Sequence, residues 1–286
     1  MDQDQMRMTG LSSLNSRMFR RNLPTSSQSE LSTTMSHGVG ADGRYQTVIQ
    51  DIAKKMGAGM ADFAALSTPE KPVAEVNTLD DYDLYCHYVA GLVGEGLSGI
   101  FAVSGKEREW IADQLTLSNS MGLLLQKTNI FRDIKEDVDE GRGFWPRAIW
   151  GKHGFNSMAE LLDPAREKEA LFASSEMVLD ALRHAVDALD YLTLLRTQSV
   201  FNFVAIPAVM AIATLERCFM NPDILKKNVK IRRGEAIRVS HHIHDLMTML
   251  TSSSSTERST PETYHTFSES MQRRSTPRSH EMTPIS

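Results

Sequence analysis

The sequence predicts an all-α fold, and three observations carry that prediction. Apolar residues recur at three- and four-residue steps in successive stretches from Tyr45 onwards, the spacing that places them on one side of a helix. The stretch from Ser199 to Phe219 is apolar nearly all round, as expected of a helix buried in a bundle. No alternation of strand and helix follows YCHYVAGLV, a stretch that could pass for a strand.

Residues 1–43 hold Arg7, Arg17, Arg20 and Arg21 among many Ser, Thr and Met, with few acids and short apolar stretches, and are expected to form a disordered leader. A mitochondrial transit peptide shares this look, but an unstructured leader is the simpler reading. From Tyr45, residues Val48, Ile49, Ile52, Met56, Met60 and Phe63 fall at helical spacing, and Pro69 and Pro72 end that helix. A second helix runs from about Leu79 into Leu97, where Gly91, Gly94, Gly96 and Gly99 permit close packing or a bend. Its GEGLSG matches G-x-G-x-x-G, yet the strand–helix alternation of a dinucleotide fold is missing.

A third helix spans Ser118 to about Glu140 and stops at Gly141, Gly143 and Pro146. Glu167 to Leu195 is an amphipathic scaffold run. It has Leu171, Val178, Leu182, Ala185, Leu189 and Leu192 inward and Glu176, Asp180, Arg183, Asp187 and Asp190 outward. Pro207 should kink the apolar helix that follows. Beyond it, His241, His242 and His244 suggest a metal, but without a second cluster a solvated segment is the better reading. Residues 241–286 read as a disordered Ser/Thr-rich tail. Residues 44–240 remain as one helical domain, roughly 190 residues and enough for a real core.

A formal net charge of -5 offers no overall basic field, so nucleic acid is not an expected partner and an anionic ligand must be held by local cations. The two cysteines, Cys86 and Cys218, lie in apolar helical patterns and read as packed thiols. The longest apolar run, Val200 to Leu215, contains Asn202 and Pro207 and falls short of the roughly 20 residues of a membrane span, so no transmembrane helix is expected.

Chemistry gathers on the third helix, where Gln126, Asn129, Asp133, Glu136 and Asp137 form one polar stripe. A solvated face is one reading, since Arg132 and Lys135 sit among the acids. A cation site is the other. Like charges four apart lose about 0.2–0.5 kcal/mol, and acids in the last turns oppose the macrodipole at about 0.3–1 kcal/mol. Mg²⁺, which takes one or two carboxylates and completes its octahedron with waters and phosphate oxygens, would make such a cluster favourable.

The run MGLLLQKTNIFRDIKEDVDEGRGFWP closely resembles the second aspartate-rich segment of squalene synthases. YCHYVAGLVG (Tyr85 to Gly94), SVFNFVAIPAVMAIATL (Ser199 to Leu215) and VKIRRG (Val229 to Gly234) resemble three further segments of that family in the same order, and the likeness extends from about Tyr45 to about Ala236. The resemblance implies an isoprenoid-synthase-type helical bundle, here incomplete. It also implies condensation of two farnesyl diphosphates to presqualene diphosphate, with reduction by NADPH to squalene. By the same resemblance Asp133 and Asp137 are Mg²⁺-diphosphate ligands with Glu136 beside them, and Gln126 and Asn129 are polar supports. Tyr85 would move the proton lost in forming the cyclopropane, and Phe203 would steady a carbocation through its ring face. Arg132, Lys230 and Arg232 would bind the NADPH phosphates; Met121, Leu125 and Val89 would line the prenyl cavity. Without the family, Tyr85 and Phe203 read as core aromatics and the three cations as a surface basic turn.

Two features depart from the family. A first aspartate-rich segment of D-x-x-E-D type should precede Tyr45 and none is found; Asp80, Asp81 and Asp83 lie too near Tyr85, and only Asp80 and Asp83 share a helical face. Squalene synthases usually end in a hydrophobic anchor, where this chain ends in polar residues. The expectation is therefore a truncated form, weakly active or inactive alone. A noncatalytic fragment that binds prenyl diphosphate or a partner and a phytoene-type synthase are the alternatives. The resemblance implies the endoplasmic reticulum membrane, reached by peripheral association, or the cytoplasm if the missing anchor is genuine.

Overall fold

The computed structural model describes residues 43–65 and 76–231; the leader up to residue 42, the three histidines and the tail lie outside the described residues, and so does Arg232. Among the described residues there is no strand. The helices are α1 (Gly43–Ala65), α2 (Leu79–Cys86), α3 (Leu92–Val103), α4 (Leu115–Arg132), α5 (Ile134–Asp139), α6 (Arg147–Trp150), α7 (Glu167–Leu182), α8 (Ala185–Thr193) and α9 (Gln198–Cys218).

Thr78 starts α2. Its side chain accepts from the Asp81 backbone N–H while the Asp81 carboxylate accepts from the Thr78 N–H, a reciprocal cap worth about 0.5–2 kcal/mol. One π-helical turn, His87–Gly91, joins α2 to α3. It faces α4, where His87 Nδ1 and Asn119 Oδ1 meet at 2.8 Å. Of the glycines expected to permit close packing, Gly94 does so here, since a Cβ on it would lie 2.2 Å from the Ser118 carbonyl oxygen; Gly122, outside that expectation, does the same on α4, where a Cβ would lie 2.4 Å from the Ala90 carbonyl oxygen. Backbone meets backbone at this crossing, which only glycine allows.

The centre of the bundle is α4, which packs against α2, the π turn, α3, α7, α8 and α9. Its upstream half is consequently buried on more than one face, with Met121, Gly122, Leu123 and Leu124 in succession inside. The single helix predicted from Ser118 to Glu140 begins earlier, at Leu115, and is interrupted at Asp133, whose φ of -93° and ψ of 12° leave the helical range. After α5 the segment Phe144–Trp145–Pro146 folds back onto α4. Trp145 stacks on Phe131 with centroids 5.6 Å apart and donates from Nε1 to the Ile130 carbonyl at 3.3 Å. The start of α6 is tied to the approach to α2 by Arg147 N–H to Val76 O at 2.9 Å.

Glu167 to Leu195 is two helices, parted at Arg183 and His184. Val178 and Leu192 face inward as predicted, but Asp180, expected outward, is buried. The reason is an ion pair across the bundle, described below. In α9 the chain remains helical through Pro207; Ala205 and Ala208 are buried, while Phe203 is 58% exposed. Two helical stretches, Leu79–Val103 and Gln198–Cys218, are long and apolar enough to cross a membrane by length and composition. The second is longer than its apolar run suggests, because α9 is a helix of 21 residues that carries Glu216 and Arg217 only in its last turn. Both stretches pack into the bundle through α4.

Candidate active site

Where α2 and α4 approach the loop after α5, a cavity of about 350 Å³ opens. Five predicted site residues line it: Tyr85 from α2, Gln126 and Asn129 from α4, and Asp133 and Asp137 at the interruption and on α5. Ile130, Arg142 and Phe144 complete the wall. The other predictions lie elsewhere. Glu136 is exposed, Met121 is buried within α4, and Phe203 sits on α9 in edge contact with Phe101 at 6.2 Å. Lys230 is exposed.

Each aspartate is held by cations or amides. Arg132 grips Asp133 with both tines, Nε to Oδ1 at 2.8 Å and Nη2 to Oδ2 at 2.6 Å. Asn228 Nδ2 donates to Asp133 Oδ1 at 2.6 Å and to Glu136 Oε2 at 3.3 Å. Burial pushes the Asp133 carboxyl upward, but these donors and the nearby Lys230 charge outweigh it and hold the group below the ordinary carboxylate range. Asp137 behaves in the opposite way. Burial raises it, the Arg142 contact offsets only part, and the negative charges of Asp133 and Glu136 add to the rise. Asp137 is thus held by one arginine, where Asp133 has an arginine and an amide.

Tyr85 lies between aromatic rings, stacked on Phe144 at 5.2 Å and edge-on to Phe63 at 5.3 Å. Burial, with the charges of Cys86 and Asp137, pushes its phenol up to about 12. The phenol therefore holds its proton at neutral pH.

The residues fit Mg²⁺. No three His, Cys, Asp or Glu side chains enclose a metal among the described residues, but this ion needs only one or two carboxylates and takes its other ligands from water and phosphate. Asp133 and Asp137 line one cavity together with the side-chain amides of Gln126 and Asn129, the oxygen-type donors that this ion takes. NADPH fits less well, since Arg132 is engaged by Asp133 and Lys230 stands exposed.

The squalene/phytoene synthase family model matches residues 39–235. The chain belongs to this family. It is 54% identical over 205 residues to a squalene synthase of Ganoderma lucidum, covering 68% of this chain and 44% of the relative. It is 50% identical over 198 residues to that of Schizosaccharomyces pombe, covering 69% and 43%. The chain thus spans less than half the length of these curated relatives. The solved complex of TcSQS with the ligand E5700 superposes with a TM-score of 0.67 at 42% identity, over 74% of this chain and 62% of that one. A dehydrosqualene synthase structure, TM-score 0.56 at 19% identity over 70% and 65%, shares the fold.

Several residues around the candidate site carry no signal in the sequence. Lys127, one position from Gln126, points away from the cavity and is 1% exposed, bonded to Asp180 and Asp83 at 2.5 Å each. Arg183 pairs with the same two aspartates. The Lys127 ammonium also lies 4.8 Å from the Tyr82 ring centroid. This network pins α2, which carries Tyr85, to α4 and α7. A lone lysine in a helical run leaves no sequence signal of burial. Phe144 was legible in FWP, and Arg142 lies between the glycines that mark the helix stop.

Proposed function

We propose that this chain forms the Mg²⁺-dependent diphosphate wall of a squalene synthase, which condenses two farnesyl diphosphates to presqualene diphosphate and reduces it with NADPH to squalene. The observation that supports it is the convergence of Tyr85, Gln126, Asn129, Asp133 and Asp137 on one cavity. Mg²⁺, when bound there, would neutralise the leaving diphosphate and so ease ionisation of the allylic carbon.

Asp133 and Asp137 would hold that ion, and Gln126 and Asn129 would orient the same head group by hydrogen bonds. Arg132 fixes Asp133 in position. Phe144 and Ile130 provide apolar wall against water, which would otherwise capture a carbocation. The protonated Tyr85 phenol would donate to a diphosphate oxygen; to accept the cyclopropane proton it must first lose its own, which a bound dication would favour. Phe203 remains our candidate for carbocation contact, and Lys230 and Arg232 for cofactor phosphate. Peripheral attachment to the endoplasmic reticulum membrane completes the reading.

Calorimetric titration of the chain with farnesyl thiodiphosphate, an analogue that resists ionisation, should show Mg²⁺-dependent binding. Asp133→Asn and Asp137→Asn should each weaken it at least tenfold. Unchanged affinity in both variants would return the stripe to the solvated-face reading. Products formed from farnesyl diphosphate, Mg²⁺ and NADPH test the reaction itself: squalene supports it, and a phytoene-like hydrocarbon refutes it.

A further inference from the structure

Arg142 stands against Asp137 in a way that invites exchange. Its Nε and Nη2 both donate to one oxygen, Asp137 Oδ1, at 3.1 and 2.9 Å, and Nη1 pairs with Glu140. The base of the side chain is anchored, because the Arg142 backbone N–H donates to Asp137 O at 2.7 Å and Gly141 N–H to Val138 O at 3.0 Å. Gly141 makes that turn at a φ of 73°, with open space around it. The guanidinium itself is 42% exposed and can swing without breaking the turn. Arg132, by contrast, divides its fork between both oxygens of Asp133 and is 27% exposed.

A divalent ion on Asp137 would face the guanidinium within a few ångströms, and two cations cannot share that oxygen without strong repulsion. The displaced fork, which lines the same cavity, would match the oxygens of a diphosphate bound there. We infer that Arg142 is a resident counter-ion for Asp137, which a divalent cation displaces and which then turns onto the diphosphate. The second half rests on the diphosphate reading above. The first half does not.

Two calorimetric titrations separate them, one with Mg²⁺ alone and one with inorganic pyrophosphate at saturating Mg²⁺. Arg142→Gln should bind Mg²⁺ alone at least threefold more tightly than the unaltered chain, because the competing cation is gone. The same variant should bind pyrophosphate at least tenfold more weakly. Arg142→Lys, which keeps a charge but not the fork, should stay within twofold for Mg²⁺ and fall between the two for pyrophosphate. Mg²⁺ affinity unchanged or weakened in Arg142→Gln would overturn the counter-ion role, and unchanged pyrophosphate affinity would overturn the transfer. If the unaltered chain binds Mg²⁺ but no pyrophosphate, the transfer and the diphosphate reading both fall, and the Mg²⁺ comparison still decides the counter-ion role.

Discussion

Replacing Lys127 with Met tests whether the network behind the site wall is desolvated, because Met keeps the side chain's length and removes its charge. Lys127 is 1% exposed and Asp180 7%, so their 2.5 Å pair is shielded from water; Asp83, at 30%, is only partly so. Removing one partner of a buried pair costs about 3–5 kcal/mol, since a charge is left without its counter-charge. Arg183 still reaches both aspartates, which places the expected loss near the lower end, about 3 kcal/mol. Neutralising the stranded acid as well, in Lys127→Met with Asp180→Asn, should recover part of this and leave a deficit of about 1–2 kcal/mol. Urea denaturation followed by far-ultraviolet circular dichroism at pH 7 reads both values. A single variant within about 1 kcal/mol of the unaltered chain, or a double variant no better than the single, would refute the reasoning.

Two further outcomes follow from the same bundle. Burial, with the positive charges of Lys127 and Arg183, lowers His184 to about 4 against an unfolded value near 6.5. Between those values the unfolded chain takes up the proton, so stability is full above pH 6.5 and declines as pH falls toward 4, by about 2 kcal/mol after allowance for solvent screening. His184→Gln should flatten the decline in urea midpoints measured at pH 7, 5.5 and 4.5, and an unaltered slope would assign it to the carboxylates. Gly122→Ala gains up to about 1 kcal/mol of helix propensity, but its Cβ would lie 2.4 Å from the Ala90 carbonyl oxygen, a backbone atom that cannot turn aside. A net loss of stability in denaturant is expected, and a gain would mean that α4 and the π turn are not in contact.

The helices were legible because their apolar spacing survives burial, and α1, α4 and α9 all appear near the predicted residues. What periodicity cannot register is a polar group kept inside by a partner far away in the chain. Asp180 was assigned outward since acids on amphipathic helices face water. Lys127, 53 residues earlier, reverses that by supplying the charge that makes burial tolerable. Asp81 and Asp83, which the sequence already sets apart from an aspartate-rich motif, complete a helix cap and an ion pair.

The candidate site was legible to the extent that one helical register described it. Gln126, Asn129 and Asp133 follow that register from α4 into the cavity, and Asp137, whose N–H bonds to the Asp133 carbonyl at 2.9 Å, continues it across the interruption. Glu136, one residue short of that four-residue step, is turned to solvent. Asn129, at the rim of the cavity, is exposed as well, so the stripe divides residue by residue. A solvated face would expose Asp133 and Asp137 as well, whereas both are turned into the cavity and Asp137 is 8% exposed. A carboxylate that stays inside, partnered by one half-exposed arginine, is better placed to hold a cation than to face water. We therefore propose a cation on Asp133 and Asp137 and leave Glu136 to water.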